Sequence, residues 1–353
     1  MKLKHFILAT ASGLFAGFSL QSCVKEKNLY QGAPITYSEL NLELGGDYLL
    51  TEEPLDRSIV TRATSFDENK AIVGIGITMS SMQDGKPVSK PYAYGIFELS
   101  KAQKKENLKI NVIDGYTYKV TCAMIVNAKD SIQSSANKFY APFDLDTKGT
   151  IPGECLNKFV TAEQPNQTLF LYNLENPKFK SKSETQDNYT RPFIQRYNGS
   201  IDNLTVQNGV ENVLKLYRRY FGVNFKQTGL QEGRLKIQMD GAPAIYLNAN
   251  PDKSKLVESG LKLISMKNLS QAIPATGALT ENIKLEVFWE KTPGVTEKQI
   301  IGTNLNFKRN YKHTLVITDI DHMGTPVNIG IEVDEEEMKE DYQQDLPWQG
   351  DSE

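Results

Sequence analysis

Tyr116-Thr-Tyr-Lys-Val-Thr-Cys-Ala-Met-Ile-Val126 carries the alternation that decides the fold class. Tyr116, Tyr118, Val120, Cys122, Met124 and Val126 share one face of an extended chain, with Thr117, Lys119, Thr121, Ala123 and Ile125 on the other. Side chains that turn to opposite faces at every step mark a β-strand. Just before it come Leu108 to Ile113 and then Asp114-Gly115. An Asp-Gly pair between two extended runs predicts a hairpin, because its turn needs the left-handed backbone that Gly adopts freely.

Working outward, the same period recurs. Ala71, Val73, Ile75, Ile77 and Met79 line one face, with Ile72, Gly74, Gly76 and Thr78 opposite. Pro91 to Leu99 and Thr168 to Tyr172 read as further strands, and Ala128 to Asn166 as a polar, turn-rich stretch. Val213 to Phe225 begins a second strand-rich block. Leu235 to Met239, Ala244 to Leu247, Leu261 to Met266, Ile283 to Trp289, Tyr311 to Thr318 and Val327 to Val333 continue it. With no long helical pattern between them, these runs predict an all-β sandwich architecture. About 330 residues follow the N-terminal apolar run, enough for two domains. The boundary is placed at 207/208, within the polar stretch from Asn198 to Asn212, giving domains 63–207 and 208–353.

The N-terminus is organised for export. Lys2, Lys4 and His5 precede the apolar run Phe6 to Phe18, which has signal-peptide length. Leu20-Gln-Ser-Cys23 follows and resembles the lipobox of bacterial lipoproteins. Residues 1–22 are therefore expected to be removed and Cys23 to carry the lipid, with palmitate among its chains. Several acyl chains on one Cys make a durable anchor, since each buried methylene contributes about 0.8 kcal/mol. Cys122 and Cys155 remain, and export permits a disulfide without establishing one.

Charge and chemistry exclude more than they offer. A net charge of −3 with acid and base nearly balanced gives no footprint for nucleic acid. His313 and His322 have no partner pattern for a metal, and no nucleophile elbow, phosphate loop or dinucleotide fingerprint is present. Neither an enzyme nor a cofactor is expected. Tyr92, Tyr94, Tyr116 and Tyr118 offer aromatic rings at period two, the pattern of cross-strand pairs more than of sugar platforms. Asp334 to Asp341 reads as a solvated acidic tail, and Arg218-Arg219 and Lys308-Arg309 as basic pairs flanking strands.

Four places together resemble the fimbrillins, the type V pilins of Bacteroidetes surface fibres. They are the lipobox at Cys23, Thr61-Arg62-Ala63 ahead of the strand from Ala71, Tyr118 to Asn127, and Phe307 to Ile317. Leu214 to Phe221 is similar to the strand that starts the family's second domain. The resemblance implies two transthyretin-like Greek-key sandwiches in tandem and a lipoprotein precursor at the outer membrane. An arginine-specific, gingipain-like protease would cut between Arg62 and Ala63, with Arg57 a competing site. The partners implied are other fimbrial subunits, the outer membrane through the lipid, and a host or bacterial surface receptor. Two other functions stay open: an uncleaved fimbrial anchor, and a glycan-binding outer-membrane lipoprotein.

The segment 23–62 then acquires a purpose. Leu40, Leu42 and Leu44 alternate with Asn41 and Glu43, as a strand filling a sandwich groove would. Its removal would leave an apolar groove with an unpaired edge. The best donor to refill it is Val327-Asn-Ile-Gly-Ile-Glu-Val333, in which Val327, Ile329, Ile331 and Val333 alternate. The expectation is donor-strand exchange into the next subunit.

Overall fold

The computed structural model describes residues 34–47, 66–131, 134–135, 138–139, 153–161, 179–180, 188–269, 279–295, 298–317 and 331–338. The described residues from Tyr37 onward form one compact unit. Strand is the commonest structure among them, as the alternation predicts, with only short helical turns, and the strands surround two main apolar cores.

The first core is enclosed by β1 (Tyr37–Gly46), β2 (Ile72–Gln83), β3 (Lys86–Glu98), β4 (Lys109–Ile113), β5 (Thr117–Ile125), β6 (Phe159–Thr161), β7 (Arg196–Leu204) and β8 (Glu211–Arg218). Their order across the sheet is β4-β1-β8-β7-β5-β2-β3-β6. β8 joins the two halves: its residues 211–216 pair with β1, and Tyr217 and Arg218 pair with β7. The face read from Ala71 to Met79 is buried throughout and meets Leu40, Leu42, Leu44, Tyr118, Val120 and Met124.

The opposite face is drier than its small residues suggest. Ile72, Ile96, Ala123, Ile125 and Ile194 form a separate buried cluster there with Cys155. Cys122 lies in the first core and Cys155 in this outer cluster; both are buried free thiols, so no bridge joins them. Burial pushes the Cys155 thiol up to about 11, which favours the protonated form.

One expectation about connections fails. β4 and β5 do not form a hairpin: β4 pairs with β1, and β5 pairs with β7 and β2. Gly115 does adopt the left-handed backbone, at φ 82°. The turn nevertheless carries the chain from one part of the sheet to another. The run Val213 to Phe225 is two strands. β8 ends at Arg218, and β9 (Tyr220–Gln227) starts in a different sheet around the second core. Leu214, Leu216 and Tyr220 pack in the first core, Phe221, Val223 and Phe225 in the second.

The second core lies between two sheets. β10 (Arg234–Met239), β11 (Ile245–Asn248), β12 (Val257–Glu258), β13 (Lys262–Ser265), β14 (Thr280–Glu290), β15 (Lys298–Lys308), β16 (Tyr311–Ile317) and β17 (Ile331–Glu337) complete it. One sheet has the order β12-β9-β16-β17, with β13 also on β9; the other is β11-β10-β14-β15. β9 and β16 run parallel, as do β1 and β8. Tyr220, Leu263 and Met338 from this half pack into the first core, so the two cores abut.

Candidate strand-exchange groove

β1 occupies the groove in the way its leucines predict. Leu40, Leu42 and Leu44 are 0, 2 and 5% exposed, while Tyr37 and Glu39 face solvent. Full burial of three such side chains contributes about 5–9 kcal/mol. Both edges of the strand are paired. Tyr37 to Asn41 run antiparallel to β4, from Ile113 to Lys109, and Asn41 to Gly46 run parallel to β8, from Glu211 to Leu216. Its last residue, Gly46, has φ 104°, and a Cβ there would collide with the Leu216 backbone. Only Gly allows the chain to leave the sheet so close to β8.

Polar contacts tie the strand along its length. Ser38 Oγ donates to Asp114 Oδ1 at 2.6 Å, and the Glu39 N–H to Asn208 at 2.8 Å. Lys105 Nζ lies 3.3 Å from Glu43 and 2.8 Å from Glu211, which holds the ammonium pKa above its usual value. At the far end Asp47 reaches the second half of the molecule. Its Oδ2 accepts the Arg218 N–H at 3.0 Å and Arg309 Nη1 at 2.7 Å. Arg218 Nη1 in turn donates to Asn310 Oδ1 at 2.6 Å. Burial, with Arg309 nearby, pushes the Arg219 guanidinium down to about 10.

This meeting of Asp47 with the two basic pairs is absent from the sequence reading, which treats Arg218-Arg219 and Lys308-Arg309 as strand flanks. Asp47 and Arg309 are 262 positions apart. The available signal was a lone acid after Gly45-Gly46, too slight to find a partner.

The C-terminal strand is placed differently. Cys23, Arg62, Ala63, Val327 and Ile329 lie outside the described residues. Ile331 packs against the second core, whereas Val333 is 43% exposed. Asp334 to Glu337 are exposed, as a solvated acidic run would be, but they are in a strand; β17 pairs antiparallel with β16, from Ile331↔Ile317 to Glu337↔Tyr311. Cations on the neighbouring strands offset the acids. Glu335 pairs with Lys308, Glu336 lies 3.8 Å from Lys312, and His313 Nδ1 lies 3.5 Å from Glu335 Oε1. His313 is fully buried between Phe221 and Phe307, and its Nε2 accepts the Lys308 N–H at 3.0 Å. That acceptor role requires the neutral ring, and burial lowers its pKa despite Glu335. Met338, next in the chain, is buried in the first core.

The tyrosines are structural. Tyr118 is buried, donates its hydroxyl to Ile113 O at 2.7 Å, and meets Tyr92 edge-on with centroids 5.6 Å apart. Tyr94 is 6% exposed. Tyr92 and Tyr116 are partly buried and pack against the first core.

No family model matches the sequence, and no curated protein does. Among solved structures, the chain is similar to the fimbrial anchor protein Mfa2 from Porphyromonas gingivalis. That match has 10% identity and a TM-score of 0.38 over 86% of this chain and 98% of that one. A candidate adhesin from Bacteroides ovatus has 16% identity and TM-score 0.38, over 86% and 94%. A candidate polysaccharide-binding protein from Bacteroides thetaiotaomicron has 12% identity and TM-score 0.37, over 87% and 100%.

Proposed function

We propose that this chain is a structural subunit of a bacterial surface fimbria, exported as a lipoprotein and assembled by exchange of strands. Cys23 holds the precursor at the outer membrane. An arginine-specific protease cuts between Arg62 and Ala63, β1 departs with segment 23–62, and the C-terminal strand of another subunit fills the vacated groove. The role is non-enzymatic, and adhesion is what the finished fibre serves.

One observation carries this reading. The first strand among the described residues buries three leucines and pairs on one edge over Tyr37–Asn41 and on the other over Asn41–Gly46, between strands that come much later in the chain. Arg62 follows it in the sequence, so a single cut would separate that strand from the body. A groove emptied in this way has apolar walls and two unpaired edges, which together select an extended apolar segment.

The test is N-terminal mass spectrometry of protein taken from the cell surface. The expected first residue is Ala63, and Arg62→Ala should hold the full precursor at the membrane. Mature protein beginning at Ser58 would move the cut to Arg57. Surface protein that still begins at Cys23 would overturn cleavage and leave an uncut anchor.

A further inference from the structure

We propose that the Arg309 guanidinium and the Arg218 N–H form a carboxylate socket, filled by Asp47 in the precursor and by an acid of a second copy's C-terminal strand in the fibre. This rests on the reading that β1 departs on cleavage. The Asp47 and Arg309 side chains are only 20 and 17% exposed, and Arg309 Nη1 bonds Asp47 Oδ2 at 2.7 Å. Loss of β1 removes Asp47 from Arg309 and from the Arg218 N–H. A cation so far out of water is costly without an opposite charge, so the vacated place favours an incoming carboxylate.

The groove also has a direction. At the start of β1 stands Asp114, bonded to Ser38; at its end stand the arginines. A strand that is apolar first and acidic afterwards fits only when it runs as β1 does. Reversed, it would bring its acids to Asp114. The C-terminal strand has that order, with Ile331 and Val333 followed by Asp334-Glu-Glu-Glu337.

Register agrees with this. Asp47 lies three positions past Leu44, as Asp334 does past Ile331 and Glu336 past Val333. Either alignment puts an acid at the socket. A donor has side chains where β1 has Gly45 and Gly46, so it must leave β8 earlier. The run of four acids gives the arginines a carboxylate wherever it does so. In its own chain the same run faces Lys308 and Lys312, so transfer exchanges one set of cations for another.

The experiment uses the full chain, cut with an arginine-specific protease, and reads the yield of detergent-resistant ladders. Wild type should form ladders. Arg309→Glu should reduce the yield about tenfold or more, and adding Asp334→Lys and Glu336→Lys to that chain should restore it. Asp47→Asn should lower the precursor's melting temperature yet leave the ladders unchanged, because Asp47 departs with β1. If uncut Arg309→Glu is unfolded, Arg309→Gln takes its place and should reduce the yield in the same direction. Absence of ladders from cut wild type would remove strand exchange and this proposal with it. Wild-type yield from the Arg309 variant, or no rescue by the reversed charges in folded Arg309→Glu, would overturn the socket and leave strand exchange standing.

Discussion

β1 is hydrogen-bonded along both edges and buries three leucines, whereas β17 is bonded along one edge, to β16, and among its residues only Ile331 is even half-buried. Both strands were singled out by the same alternation of apolar side chains. Their surroundings differ because β1 lies inside a sheet and β17 at the end of one. β1 is held chiefly by the burial of its leucines, with ion pairs from Glu39, Glu43 and Asp47 added at its margins. β17 is held by a backbone ladder and by acids set against Lys308, Lys312 and His313, which both salt and protons weaken. Under the proposed strand exchange, this asymmetry would let the lent strand leave its own ladder while the strand to be replaced stays until a protease frees it.

The sharpest way to break the comparison is to trim one side chain from each strand. Leu42→Ala should destabilise the uncut chain by about 2–5 kcal/mol, since it opens a cavity in a packed core. Urea unfolding followed by tryptophan and tyrosine fluorescence would measure it, and a cost below about 1 kcal/mol would mean that β1 is not integral to the first core.

A middle-sized effect should come from protons at the seam between β16 and β17. The folded pKa of His313 lies below the ordinary value of 6.5, so the unfolded chain binds a proton more readily than the folded one. The stability this contributes is present above pH 6.5 and is lost as pH falls through the folded value. Unfolding midpoints at pH 7.5 and 5.5 should therefore differ more in wild type than in His313→Phe. Equal differences in the two proteins would show that the buried imidazole does not make the second core pH-sensitive.

The smallest effect belongs to the edge. Val333→Ala should change stability by no more than about 0.5 kcal/mol, because the side chain is exposed and touches neither core. The same denaturation measurement serves, and a loss approaching that of Leu42→Ala would erase the distinction between the strands.

Much of this was legible in the order of the residues. Alternation names the buried face of a strand, because backbone geometry turns each side chain opposite to the last. Leu40, Leu42 and Leu44, the face from Ala71 to Met79, and Tyr118, Val120, Cys122 and Met124 all lie buried where that rule puts them. The all-β class follows from such runs recurring without helical ones. Alternation does not name a strand's neighbour, since the ladder is made by N–H and C=O groups common to every residue. Asp114-Gly115 thus read as a hairpin and proved a passage across the sheet, and the run from Val213 to Phe225 concealed a change of core between Tyr220 and Phe221. The meeting of Asp47 with Arg218 and Arg309 was likewise decided by the tertiary structure alone. A charge finds its partner through space, and no local pattern links positions brought together only when both cores have formed.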